Sequence, residues 1–262
     1  MTKGQFGWQK WRKSFFILSL CFVTSLMVIF SSFVPNLAVT NSVAEQLPLP
    51  QVHPLPPSLA QWQNSHGDDY FEQIEPTIAG YLIWSELPIK VYLDKPTNPQ
   101  DNSASNQRFR QWTEAVNQGM EEWDQYLPLV IVEKPELADI IIRRSHPPLN
   151  LSRDRETGRF KLPRARTAQT QYDFYLRSIP GLTDQLSHRC TIYLSPSQSP
   201  AYTLATARHE FGHALGIWGH SEQQTDVMYF SQVRHPPSIS ARDINTLKKV
   251  YQQPTRLGWE MK

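Results

Sequence analysis

Residues 205–228, ATARHEFGHALGIWGHSEQQTDVM, constrain this chain more than any other stretch. Residues 205–215 contain no proline and one glycine, which favours a helix. His209 and His213 lie four positions apart, so a helix presents both on one face. Two imidazoles placed that way can ligate one metal ion, and Glu210 beside them can take a proton from water that the ion activates. Gly216 follows where a helix needs a stop. His220 comes four residues after Gly216, and Met228 eight after that. An ordinary helix with two unrelated histidines leaves this Gly–His–Met series unexplained.

H-E-x-x-H-x-x-G followed by a third His and a Met-turn resembles the metzincin metalloproteases, and HEFGHALG is most similar to the matrixin branch. The resemblance implies that His209, His213 and His220 bind one catalytic Zn2+, that Glu210 is the general base, and that Met228 lies beneath the metal. It also implies a polypeptide substrate; a calcium requirement stays open. One spacing departs from the family. Matrixins place the third His where this chain has Gly219, so His220 implies a one-residue insertion at 217–219, with glycine absorbing the extra bend. A gluzincin arrangement needs a Glu on a following helix, and only Glu222 and Glu260 follow His213, one too near and one at the end of the chain. Family branches with a Tyr ligand carry it two places after the Met; Phe230 stands there, so none is expected. The displaced His220 prompts a competing reading, a zinc-containing module that binds peptides without cutting them. An intact Glu210 argues against it.

Upstream, residues 1–13 are basic and residues 15–34 form a 20-residue apolar run. A signal peptide cleaved near Ala44 and an uncleaved membrane anchor both fit. Either places the H-E-x-x-H region outside the cytoplasm. Four cations in the first 13 residues exceed the net +2 of the chain, so the rest is slightly acidic and nucleic-acid binding gains no support. Cys21 lies in the apolar run, which leaves Cys190 without a disulfide partner. Residues 45–80 contain no Cys, so the propeptide cysteine that blocks zinc in many matrixins has no counterpart there.

The expected domain order is a flank and anchor or signal at 1–44, a Pro-rich linker at 45–80, a catalytic domain at 81–254 and a tail at 255–262. Strands are expected at 88–94, 129–133, 138–143, 164–176 and 188–195 from period-two alternation. A helix at 106–125 carries the stripe Phe109, Trp112, Val116, Met120, Trp123. A last helix to about 252 opens on Ser240 with Asp243 three residues on, a capping-box pattern. Ser199 and Pro200 suit the start of the His-bearing helix. The fold class is α+β: a twisted, mainly parallel sheet of metzincin type, with an antiparallel edge strand at 164–176, a zinc-carrying helix and a C-terminal helix. His53, His235, the Ser65–Asp69 turn, Asp154 and Glu156 read as solvated.

Overall fold

The computed structural model describes residues 47–261 apart from 64–66, 99, 150–151, 154–156, 159, 162–165 and 182, with backbone alone at 152–153 and 160–161. The basic flank, the apolar run, Cys21, Ala44, His66, Asp154 and Glu156 lie outside the described residues.

Alternating inward residues build the strands β1 (Ile89–Leu93), β2 (Leu129–Ile131) and β3 (Ile140–Arg143). In β1 these are Ile89, Val91 and Leu93, and in β3 Ile140 and Ile142. After a short antiparallel pair, β4 (Ser152–Arg153) with β5 (Phe160–Lys161), come β6 (Ala168–Arg177) and β7 (Gln185–Leu194). The main sheet runs β2-β1-β3-β7-β6. Its first four members are parallel, and β6 is antiparallel to β7 at the edge. This is the mixed class expected. β7 begins three residues before the expected 188, because its ladder with β6 continues to Arg177–Gln185.

Among the described residues, four α-helices cover this frame: α1 (Pro57–Gln61), α2 (Ala104–Asp124), α3 (Pro200–Ala214) and α4 (Ala241–Tyr251). α2 starts at Ser103, whose hydroxyl accepts the Asn106 N–H. Trp112, Val116 and Trp123 are buried as the stripe predicts; Phe109 and Met120 pack at its rim. Gly119 lets α2 approach α3 closely, since a Cβ there would lie 3.1 Å from that of Ala207. Arg208 of α3 then grips Glu122 of α2 with two bonds of 2.5 and 2.6 Å. Pro200 opens α3 as expected, but the Ser199 hydroxyl makes no cap hydrogen bond. α4 carries the complete Ser240–Asp243 capping box.

The segments flanking the expected 81–254 domain are more integrated than a linker and a tail. Leu59, Tyr70, Ile74 and Ala79 are buried, as are Thr255 and Leu257. Pro57 opens α1 inside the run expected to be extended, and Gln51 exchanges two 2.9 Å backbone bonds with Thr255. His53 is not merely solvated: it stacks on Trp259 at 4.3 Å, and its Nε2 lies 2.8 Å from the Leu257 carbonyl.

Candidate metal centre

The end of α3 sets the geometry. Gly216 N–H donates to the His213 carbonyl at 3.1 Å and Ile217 N–H to the Gly212 carbonyl at 2.9 Å, a Schellman ending. Gly216 has φ +125°, and a Cβ there would come 2.5 Å from the Leu82 carbonyl oxygen, so both conformation and space require glycine. Trp84 Nε1 and the Tyr251 hydroxyl donate to the last carbonyls, Ala214 and Leu215, at 2.8 and 3.1 Å. The chain then doubles back and delivers His220 to the pair on the helix. One ligating atom from each of His209, His213 and His220 lies within 4.8 Å of the others. The shifted spacing therefore does not take the third His out of the cluster.

Two ring orientations are fixed by backbone. His209 Nδ1 donates to the Val227 carbonyl at 2.9 Å, and His213 Nδ1 donates to the Ile217 carbonyl at 2.8 Å. A carbonyl only accepts, so both Nδ1 atoms carry a hydrogen, and in the neutral rings this leaves the lone pairs on Nε2. Those Nε2 atoms stand 3.1 Å apart. Two facing lone pairs repel unless a cation lies between them. Burial, and then the neighbouring histidines, hold His213 well below the ordinary histidine value. Burial and His209 bring His220 down to about 4. Neutral imidazoles with free lone pairs are the donor set that zinc takes.

Glu210 sits between the helix and β6, 7 % exposed. The Thr170 hydroxyl donates to its Oε2 at 2.6 Å. Burial raises the Glu210 carboxyl above the usual range, against the pull of His209 and Thr170. Met228 is fully buried beneath the helix, and a Cβ on Gly212 would collide with its sulfur. The turn bearing Met228 hangs on Asp243, whose carboxylate accepts the N–H of Val227 at 3.0 Å and of Met228 at 3.4 Å. Asp226 at its start accepts from Ser240 at 2.7 Å and from Arg242 Nε at 3.0 Å.

The three histidines and Glu210 line a cleft of about 1070 Å³. β6 forms one rim from Ala168 to Thr170, residues 229–233 another, and Gln73 and Glu75 reach in beside His220. His235 is exposed and does not line it. Asp68 and Asp69 pair with Arg242 and Lys249. Thr170 and Asp243 are the residues of this site whose roles sequence reading missed. Thr170 falls in the strand expected at 164–176 and Asp243 in the capping-box pattern, but their partners in the site lie 40 and 15 or more residues away.

A helix-borne His pair, a third His returned by a glycine turn and a buried Met-turn, all against a mainly parallel sheet, define a metzincin-type centre. The Matrixin peptidase family model matches residues 100–252, more than half of the chain. The chain belongs to the matrixin family and is, at that level, a metalloprotease. Comparison with curated proteins returns no match.

Proposed function

We propose that this chain is a zinc-dependent endopeptidase acting outside the cytoplasm, with His209, His213 and His220 as zinc ligands and Glu210 as general base. One observation carries the reading: the two helix histidines are locked with their Nε2 lone pairs together, beside His220 and a buried carboxylate, on the floor of an open cleft. When bound, zinc supplies a Lewis acid for a carbonyl oxygen and makes water acidic enough to lose a proton near neutrality. Glu210 takes the proton of the attacking water at Oε1, since Oε2 is held by Thr170, and passes it to the leaving amine. Burial strengthens its hold on that proton between the two steps. An extended polypeptide fits the outer edge of β6, which pairs only with β7 among the described residues.

The apolar run at 15–34 beside a basic flank supports the location. The catalytic part is either held at the membrane by that run or released by cleavage near Ala44. Digestion of intact cells with an external protease tests this: a protected chain refutes it.

Hydrolysis of unfolded protein and mixed peptides by the zinc-loaded chain tests the chemistry. Wild type is expected to cut, and Glu210→Ala to hold one zinc without cutting. If both hold one zinc and neither cuts, the chain is a peptide-binding module. If wild type holds no zinc, the ligand assignment fails.

A further inference from the structure

Gly219 stands where matrixin spacing puts the third His, and its neighbours show what occupies the space instead. After the 3-10 turn Phe71–Gln73, the chain crosses Trp218 and Gly219. Ile74 and Gly219 form an antiparallel bridge, and Glu75 N–H donates to the Trp218 carbonyl at 3.1 Å. A Cβ on Gly219 would collide with the Gln73 carbonyl oxygen and come 3.1 Å from Ile74 Cδ1. Gly219 is not among the glycines with positive φ. Its glycine serves the approach of a second strand of chain, not the bend that the sequence suggested.

His220 depends on that approach. No hydrogen bond holds its ring among the described residues, whereas His209 and His213 each have a carbonyl. His220 is also the most exposed of the three. Apart from ring contacts with His209 and His213, its place is set by the backbone on either side. Downstream, Ser221 N–H donates to the Met228 carbonyl at 2.8 Å; upstream, the Glu75–Trp218 bond is the clamp. Ile74 is only 5 % exposed, so the crossing segment is packed down. Its near end is fixed too: Tyr70 N–H donates to Thr246 at 3.0 Å, and its hydroxyl donates at 2.6 Å to Asp243, the carboxylate that carries the Met-turn.

We propose that residues 73–75 are a strap that positions His220 for the metal, with Ile74 and Glu75 as positioning residues acting through Trp218 and Gly219. The idea rests on the zinc reading above. It explains how a chain with the third His one residue late keeps a three-His cluster: the extra residue bulges against the strap, which holds it in register. It also makes the stretch just before the expected catalytic domain part of the metal centre. By linkage, a strap that positions a ligand is itself stabilised when the metal binds.

Two measurements on the full chain test this, neither requiring hydrolysis. In the first, zinc affinity is read by competition with a chromogenic chelator. Glu75→Pro removes the N–H that clamps Trp218, and Ile74 already has the extended backbone (ψ 121°) that a following proline requires. Gly219→Ala pushes the strap off by collision. Each is expected to weaken zinc by about tenfold, the scale of lost ligand support, and His220→Ala by more. Glu75→Pro should have no further effect in a His220→Ala background. Equal loss in both backgrounds, or wild-type affinity in Glu75→Pro and Gly219→Ala, overturns the strap. The second measurement needs no strap variant. Hydrogen exchange at residues 73–75 should slow by about tenfold on zinc loading in wild type, and not in His220→Ala, if the coupling is of the usual size. Exchange unchanged by zinc overturns the proposal. If His220→Ala binds zinc as wild type does, or wild type binds none, the ligand assignment has failed and the strap's role falls with it.

Discussion

Under the proposed mechanism, Thr170 decides which oxygen of Glu210 is free to act. Its hydroxyl holds Oε2 at 2.6 Å in a place with little water. Thr170→Val keeps the shape and removes the donor. A hydrogen bond to a charged group contributes about 1.5–3 kcal/mol, so kcat should fall by about tenfold or more, with KM and zinc content little changed. Thr170→Ser should restore most of the rate. An unchanged kcat in Thr170→Val would leave the hydroxyl with a packing role only. Gly212 is a second single-residue constraint, because a Cβ would strike the Met228 sulfur. Gly212→Ala should cost about 1–3 kcal/mol, the usual scale of overpacking, read as a lower urea midpoint. Adding Met228→Ala should recover part of it, since the colliding atom is gone. Sequence spacing showed the His pair, Glu210 and Met228, because a helix and a turn map local spacing onto space. It could not show that Gly212 is sized for Met228, nor that Gly219 is sized for Gln73, because those contacts join separate elements.

Elements meet at Asp243. It stands at the third position of α4, where a carboxylate suits both the capping box and the positive end of the helix. Its Oδ2 also accepts Val227 and Ser240 N–H at 3.0 and 2.7 Å, while Oδ1 takes the Tyr70 hydroxyl. Asp243→Asn preserves size but turns one acceptor into a donor, so at least one buried donor must face an N–H. An unsatisfied buried group costs about 1–3 kcal/mol. The expected result is a clear drop in thermal midpoint together with weaker zinc binding, because the turn that orients His209 through Val227 loosens. A drop in stability with zinc affinity intact would separate α4 from the metal centre. The box itself was legible, since Ser240 and Asp243 are three apart. The strands of the main sheet were legible from alternation but their ends were not: β2 stops at Ile131, β6 begins at Ala168, and β7 starts early because only the β6 ladder fixes its first residues, while the short β4–β5 pair was not expected.

At the scale of the molecule, proline content misled. The last residues of the Pro-rich run at 47–59 belong to the helix α1, where Leu59 is fully buried, and Tyr70, Ile74 and Ala79 join the core. Apolar residues spaced without helix or strand period carry no local sign of where they will pack. The same holds for His188, which sequence placed on a strand but could not rank as buried. It points inward from β7, is 3 % exposed, stacks on Trp84 at 3.8 Å and leaves Nε2 without a hydrogen-bond partner. Burial lowers its pKa from 6.5 to about 3. The folded chain therefore keeps this ring neutral to about pH 3, while the unfolded chain takes up a proton below about 6.5. Between those limits the unfolded state binds one more proton at this position. The contribution is complete above pH 6.5 and is lost as pH falls, by up to about 1.4 kcal/mol per pH unit. His188→Phe keeps a ring against Trp84 and removes the titration. Urea unfolding of the zinc-free forms should give similar stability for both at pH 7.5 and a shallower fall for the variant between pH 6 and pH 4, about one proton per molecule less. The other histidines are common to both proteins, so the difference between the two curves isolates His188. Parallel curves would mean that its ring reaches water or a proton acceptor in the folded chain.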